Sequence, residues 1–420
     1  MDIRESKSST GSVFFHFGLT GVLVCAMMGV SLADASSAAV ALISTYELPA
    51  VISAAKAEEV TAMLEESLAG CDDDYLGARI GYRIGVIYFK GRMLDAAGSS
   101  FQRVASDSNA PELLRICSLN MAGQSARMLG RDSEALGAFK ELARLAEKEF
   151  SVGRSSTHAA LRRLWCAAVF SRAEIMETRG EYAAAITEYG RLLHVLRGRN
   201  DLQLLGSYGA SADDRMSQLH LRRGDVDAYL KAAASLCTDY PQYYRTPVVK
   251  FEAECVKFLK KVSADSQFIN GSFGAPAQAI GYLKSRNAEV AAAELLAVIE
   301  ALCRQYENSY GGIVLQYHRA WLLDTLDKKD EAVEIFTRAA SPRAVDADGS
   351  WPKRQVLETI QEYARIQSAI MLGEKADYSE ALRMLGSLRA HPEEPHLSEL
   401  AKSVTEAIKI LKREVGKSED

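Results

Sequence analysis

The histidines carry the most versatile side-chain chemistry in this chain, and their spacing does not build a metal site. The 420-residue sequence has seven of them, and no two stand four residues apart. Zinc enzymes often place two imidazoles four residues apart on one helix face. His391 and His396 flank a proline-containing stretch, which we interpret as a surface loop. The histidines therefore predict no metal centre.

Carboxylates and glycines also fall short of a recognisable site. Asp346, Asp348 and Gly349 resemble the start of a calcium loop, but the later carboxylates and the terminal glutamate are missing. We interpret this stretch as a turn. No G-x-S-x-G nucleophile motif occurs, and Gly311-Gly312 has no phosphate-loop lysine near it. We predict no cofactor, no metal and no enzymatic activity. An all-helical envelope hydrolase or lyase, built from distant residues, is the alternative.

Cysteine spacing points to packing rather than chemistry. Six cysteines follow residue 35, widely separated and without a C-x-x-C pair, and most lie in helical patterns. Cysteine in such a setting behaves as a small buried apolar residue. Cys237 and Cys255 would be the best candidates for a disulfide in an oxidising compartment.

Composition indicates an ordinary globular protein. The chain is 48% hydrophobic and 25% charged, with a formal net charge of -5. A general nucleic-acid binder normally shows a basic excess. The sequence therefore predicts no nucleic-acid partner.

The N-terminus has the features of an export signal. Residues 13–33 are nearly all apolar or small, Arg4 and Lys7 precede them, and Ala33-Asp-Ala35 follows. This order is typical of a secretory signal cleaved after a small residue. We predict a signal peptide over 1–35 and a periplasmic or envelope location. The apolar run is also long enough to span a bilayer, so an uncleaved anchor giving membrane association through residues 13–33 is the alternative.

Residues 178–193 show the clearest structural pattern. Gly180 marks a tight turn, and Tyr182, Ala185, Tyr189 and Leu192 then recur at helical spacing. The small alanine would let a neighbouring helix approach closely, while the larger residues fill the surrounding space. The stretch therefore predicts the second helix of a helix–turn–helix unit.

Similar units occur along most of the chain. Gly85 with Ala97 and Phe101 forms one copy, and Ala135 with Phe139 belongs to the next. The pattern resembles the tetratricopeptide repeat (TPR) superfamily, and the likeness covers most of residues 76–390. The resemblance implies an all-α fold, an α-solenoid of antiparallel helix pairs in a TPR-like superhelix, with six clear pairs and one or two degenerate ones.

The repeat pattern also suggests a domain organisation. After the signal or anchor at 1–35, residues 36–75 would form capping helices. A first TPR-like array would occupy 76–262, and a linker rich in Ser, Gly and Ala would occupy 263–276. A second array with a C-terminal capping helix would then occupy 277–415, so that the solenoid has two sub-arrays.

The resemblance further implies a groove that binds an extended or helical segment of a partner protein. In TPR units, certain positions of each first helix face this groove. Such positions hold aromatic, amide and guanidinium groups suited to a peptide backbone, although the aromatic ones equally suit a core between helices. These peptide-binding candidates are Arg79, Tyr82, Phe89, Lys90, Asn120, Gln124, Arg127, Phe170, Glu174, Glu177, Tyr317, Trp321 and Asp324. The predicted function is a non-catalytic protein-interaction scaffold of unknown partner, with a membrane-anchored adaptor as the alternative.

Overall fold

The computed structural model describes residues 52–71, 73–150, 156–199, 204–262, 274–307, 309–340, 351–388 and 395–418. The predicted signal at 1–35, the calcium-like turn at 346–349 and most of the predicted linker lie outside these residues, so those predictions stay predictions. Within the described part every regular element is a helix, and none of these helices combines the length and apolar character that crossing a bilayer requires.

The described helices fall into two compact units, one ending at Met216 and one beginning at Ser217. The first unit contains a π-helical turn at Leu205–Gly209 and eight α-helices, the last of which crosses the boundary. These are α1 (Ala54–Ala69), α2 (Asp74–Lys90), α3 (Leu94–Ser106), α4 (Glu112–Met128), α5 (Asp132–Phe150), α6 (Ser156–Thr178), α7 (Tyr182–Arg199) and α8 (Ala210–Arg222).

The second unit begins inside α8 and contains nine further helices. Residues 274–276, which end the predicted linker, form the first turn of one of them. They are α9 (Val226–Asp239), α10 (Thr246–Val262), α11 (Gly274–Arg286), α12 (Glu289–Gln305), α13 (Tyr310–Thr325), α14 (Lys329–Ala340), α15 (Trp351–Glu374), α16 (Tyr378–Gly386) and α17 (Pro395–Ser418).

One turn recurs seven times between paired helices in the part of the chain that the structure describes. In each case a residue with positive φ follows the first helix, and the next backbone N–H donates to a carbonyl five residues earlier, over 2.8–3.1 Å. This is the Schellman arrangement that ends helices and satisfies their last carbonyls. It joins α2–α3, α4–α5, α6–α7, α8–α9, α11–α12, α13–α14 and α15–α16. The positive-φ residues are Arg92, Gly130, Gly180, Gly224, Asn287, Asp327 and Ala376.

The turn fixes which residue of the second helix packs inward. In each of these pairs, the residue five positions after the positive-φ residue has a fully buried side chain. In six pairs this residue is alanine, which permits a close helix approach, and in α9 it is Tyr229. In the fourth copy, which begins at Gly224, the sequence pattern predicts Leu230, Ala234 and Leu236 as the recurring positions. Leu236 is buried and Leu230 is half-buried, but Ala234 is exposed, and Tyr229 and Ala233 take the buried positions.

Aromatic rings of second helices pack into glycine positions of first helices. A Cβ added at Gly85 would lie 2.7 Å from the Phe101 ring, and one at Gly123 would lie 2.6 Å from the Phe139 ring. Both phenylalanines are fully buried. Together with the recurring turn and buried alanine, this packing is of the TPR type, and it confirms the predicted all-α fold built from antiparallel helix pairs.

The cysteines contribute to this packing. All six that the structure describes are free thiols, and four of them are buried. Cys255 is fully buried in the core of the second unit, and Cys237 packs against the edge of the same core. Burial raises the pKa of the Cys255 thiol well above its usual range.

Candidate functional site

The predicted groove residues of the second and third copies come together in the first unit. Asn120, Gln124 and Arg127 lie on α4 at positions i, i+4 and i+7, which places them along one face. Phe170, Glu174 and Glu177 have the same spacing on α6. The two faces meet, because an Arg127 guanidinium nitrogen lies 2.8 Å from a carboxylate oxygen of Glu174.

This ion pair is buried. The Arg127 and Glu174 side chains are only 9% and 7% exposed. An isolated charge in that position would be costly, and pairing with hydrogen bonding is what makes its burial tolerable. The pair therefore ties the first helices of two successive repeats to each other.

A third repeat joins the cluster through Arg215 on α8. Its guanidinium lies 3.4 Å from Glu177 and 3.8 Å from Glu174, while its side chain is 47% exposed. The two glutamates are thus neutralised by two arginines, and of the four charged groups Arg215 is the most exposed. We call these four residues, Arg127, Glu174, Glu177 and Arg215, the ion cluster.

Aromatic side chains flank the ion cluster. The Phe170 ring packs edge-on against Tyr189 of α7 at 5.2 Å between centroids, and against Tyr208 of the π-helical turn at 6.1 Å. Tyr189 is fully buried, whereas Tyr208 is half-buried. Burial raises the pKa of the Tyr189 hydroxyl far above its usual value, and the nearby Glu174 adds to this shift. Tyr189 therefore stays a neutral hydroxyl at any physiological pH.

Among the buried polar atoms without a hydrogen-bond partner within the described structure are the Tyr189 hydroxyl and the side-chain oxygen of Asn120. Most buried polar atoms are hydrogen-bonded, so such groups call for an explanation such as a bound water or a ligand. The Tyr189 hydroxyl lies near the charges of the ion cluster, and the cluster reaches solvent at Arg215.

The candidates of the first copy serve other contacts. Tyr82 is buried and its ring packs against Phe101 at 5.4 Å. The Arg79 guanidinium lies 5.7 Å from the centre of the Tyr75 ring. Phe89 packs at the edge of the hydrophobic core that contains Tyr82 and Phe101. Burial, together with the neighbouring Arg83, lowers the pKa of Lys90. The role of these residues in binding stays a prediction.

The later candidates lie together on α13 in the second unit. Both the Tyr317 and Trp321 rings pack edge-on against Phe336 of α14, at 5.6 and 5.7 Å. Asp324 pairs with Lys284 of α11 at 3.2 Å. Tyr317 and Trp321 are thus half-buried and pack between α13 and α14. Their contact with a peptide stays a prediction.

The second unit also has a cleft of about 550 Å³ between α15, α16 and α17. Its walls are largely apolar and its rim carries charged side chains, including Lys402 and Glu406. Across the described parts of both units, no three His, Cys, Asp or Glu side chains are placed so as to hold a metal ion.

Sequence reasoning missed Arg215, Tyr189 and Tyr208 as members of the site. Tyr189 was interpreted as a packing residue, which its burial supports. Tyr208 lies within a five-residue π-helical turn that interrupts the helical period, and Arg215 follows that turn. A π-helical turn inserts one residue into the register, so the phase carried over from earlier repeats does not locate them.

Comparison with known proteins finds only distant structural likeness. No protein-family profile matches this sequence, and no curated protein matches it significantly. Among solved structures, a tetratricopeptide repeat protein from Parabacteroides merdae is 14% identical and covers 78% of this chain and 98% of its own, with a TM-score of 0.37. The apo quorum sensor NprR from B. thuringiensis is 12% identical and covers 83% of this chain and 93% of its own, also with a TM-score of 0.37.

Yeast Tom70 is a third such neighbour, 12% identical over 86% of this chain and 93% of its own, with a TM-score of 0.32. These identities and TM-scores are too low for any of the three proteins to guide the assignment of a site. The helix pairs of this chain are of the tetratricopeptide type by their own turns and packing.

Proposed function

We propose that this protein is a non-catalytic interaction scaffold and that the face formed by α4, α6 and α8 binds a segment of a partner protein. The observation that carries this proposal is the half-exposed Arg215 at the open side of the ion cluster, beside the half-buried Tyr208 ring. A guanidinium offers up to five N–H donors in a fixed plane. Two glutamates occupy only part of that capacity, so a peptide carbonyl or carboxylate has donors to meet.

The arrangement of charges favours binding over catalysis. Each carboxylate of the ion cluster is paired with an arginine, so each already accepts a hydrogen bond from a side chain of the protein itself. The half-buried Tyr208 ring, which packs on the buried Phe170, supplies an apolar contact of the kind that aromatic residues provide at interfaces.

A library of displayed random peptides, selected against the full chain, tests this proposal. We expect enriched peptides whose affinity falls about tenfold or more in Arg215→Ala, because a charge-assisted hydrogen bond contributes roughly 1.5–3 kcal/mol. Arg131→Ala is the matched control, since Arg131 is equally exposed and pairs with Asp95 in the same unit. Affinity that does not depend on Arg215, or falls equally in the control, would contradict the proposal.

We infer further that the scaffold acts in the cell envelope, on the strength of the signal-like residues 1–35. N-terminal sequencing of the mature protein tests this. A start at Ser36 is the expected result. A retained N-terminus in a membrane fraction would favour the anchored adaptor, and a retained N-terminus in a soluble cytoplasmic fraction would contradict export.

A further inference from the structure

The cleft between α15, α16 and α17 is long and narrow. The residues of α17 that line it run from Leu397 to Lys409, and this separation of twelve positions is about 18 Å along a helix. A volume of about 550 Å³ spread over that length gives a cross-section of roughly 30 Å². An α-helix with its side chains is about 10–12 Å across, so a partner helix is too wide to enter the cleft.

The inner wall of the cleft is aliphatic. Ile366 of α15, Leu385 of α16 and Leu397 of α17 are 1%, 6% and 4% exposed, and Leu388 and Ala401 extend the same wall. An extended peptide would bring a backbone N–H and C=O group at nearly every residue, and aliphatic side chains offer these groups no partner. A hydrocarbon chain needs no such partner, and its carbons pack against the wall at about 3.5–4.0 Å.

One edge of the cleft is polar. Ser398, Lys402, Thr405 and Lys409 are spaced four, three and four residues apart, so they lie along one face of α17. Lys402 is exposed and pairs with no carboxylate among the described residues. Lys409 pairs with Glu406 at 2.8 Å, but these side chains are 44% and 66% exposed, and such surface pairs are weak. This edge therefore offers positive charge to an anion.

The buried carboxylate that lines the cleft does not cancel this charge. Glu362 of α15 is 3% exposed, and its carboxylate lies 2.5 Å from the Arg365 guanidinium. Pairing balances this carboxylate within α15, just as Lys409 and Glu406 balance each other on α17. The charge that is left at the cleft is the ammonium of Lys402.

We infer that this cleft binds a long-chain fatty acid, with its hydrocarbon chain along the aliphatic wall and its carboxylate at Lys402. The volume and the mainly apolar lining with a few polar groups are those of a small-molecule site. The width and the wall select a single hydrocarbon chain, and Lys402 selects an anionic end. The ion cluster lies in the other unit, so this inference does not depend on the proposed peptide binding.

Isothermal titration of the full chain with tetradecanoate, below the concentration at which it forms micelles, tests this inference. We expect saturable binding of one molecule per chain. From octanoate upward, affinity should rise about fourfold for each added methylene, because each one buries further apolar surface. Tetradecyltrimethylammonium has the same chain with a cationic end, and it should bind at least about tenfold more weakly, since it meets a like charge at Lys402.

Two variants with matched controls locate the site. Lys402→Glu should weaken tetradecanoate binding at least about tenfold, because a charge-assisted hydrogen bond is replaced by repulsion. Lys140→Glu makes the same charge change at an exposed lysine of the first unit and should leave binding unchanged. Ala401→Phe fills the cleft and should abolish binding, whereas Ala407→Phe, at an exposed position of α17 outside the cleft, should not.

Absence of saturable tetradecanoate binding would overturn the inference, and so would equal affinity for the cationic analogue. Binding that survives both Lys402→Glu and Ala401→Phe would overturn it as well. Residues 13–33 are identical in every variant, so tetradecanoate held there would not respond. Helical circular dichroism of each variant confirms that α17 still folds. Phosphatidylglycerol vesicles present the other source of such a chain, and vesicle binding that Lys402→Glu abolishes would contradict the assignment to a free fatty acid.

Discussion

The Arg127 guanidinium on α4 lies 2.8 Å from the Glu174 carboxylate on α6, and both side chains are at least nine-tenths buried. The two residues are 47 positions apart in sequence. The contact joins the first helices of neighbouring repeats, and the same glutamate also lies 3.8 Å from Arg215 of a third repeat.

We expect Glu174→Ala to lower the free energy of unfolding by about 3–5 kcal/mol, because it removes the carboxylate that lies 2.8 Å from the buried Arg127 guanidinium. Replacing both residues by leucine should restore much of that loss. Urea unfolding followed by circular dichroism measures the effect. Asp95→Ala, which breaks the exposed pair with Arg131, should change stability by about 1 kcal/mol or less. Equal losses in Glu174→Ala and Asp95→Ala would show that the buried pair has no special role.

The glycines under the phenylalanine rings give a second prediction. Gly85→Ala and Gly123→Ala should each destabilise the fold by about 1–3 kcal/mol, because the added methyl overlaps a ring that is already tightly packed. Gly137, in the interior of α5, has open space around it. Gly137→Ala should therefore be stabilising, by up to about 1 kcal/mol, through helix propensity alone. Stabilisation by all three substitutions would contradict the proposed ring-into-glycine packing.

The recurring turn predicts opposite effects at two of its positions. Gly180 and Ala376 share the same backbone conformation, with φ of 76° and 63°. Left-handed backbone costs an alanine about 1 kcal/mol that glycine avoids. Gly180→Ala should therefore lower the melting temperature and Ala376→Gly should raise it. Thermal unfolding measures both, and a decrease in both variants would show that the two turns are not equivalent.

His318 predicts a pH-dependent stability. It lies between the rings of Phe251 and Tyr317, and burial lowers its pKa to about 4. The unfolded chain, with a histidine pKa of about 6.5, then binds more protons than the folded chain between these two values. Stability should fall as the pH drops below about 6.5, by about 2 kcal/mol at pH 5, and this contribution should level off below pH 4.

His318→Gln removes this titration and should flatten the decline in urea-unfolding free energy between pH 7 and pH 5. His194→Gln, at an exposed histidine of α7, is the control and should leave the decline unchanged. If the unfolding free energies of His318→Gln and of the unmodified chain fall equally between pH 7 and pH 5, His318 is not the titrating group.

The repeat architecture could be predicted from sequence because its signals are local. Gly130, Gly180 and Gly224 mark turns between paired helices. A buried alanine lies five residues after Gly130 and five residues after Gly180. The pair α11–α12 has Asn287 in the glycine position of the turn. Arg92 and Ala376 adopt the same conformation, although neither residue type favours it.

The candidate site could be predicted only in part. The helical period placed Asn120, Gln124 and Arg127 on one face, and likewise Phe170, Glu174 and Glu177. Which groups meet across repeats depends on how the helices pack, and no local pattern encodes a contact over 47 positions. Arg215 was beyond prediction for a further reason, because the π-helical turn at Leu205–Gly209 shifts the phase before α8.

Site-specific photo-crosslinking in intact cells tests the central proposal most directly. A photoreactive amino acid replaces Tyr208 at the open side of the ion cluster, and in a matched variant it replaces the exposed Lys140 on α5. The proposal predicts a discrete adduct with one partner protein at position 208, lost when Arg215 is also changed to Glu, and no such adduct at position 140. Adducts of equal yield at both positions, or an adduct at 208 that survives Arg215→Glu, would contradict it.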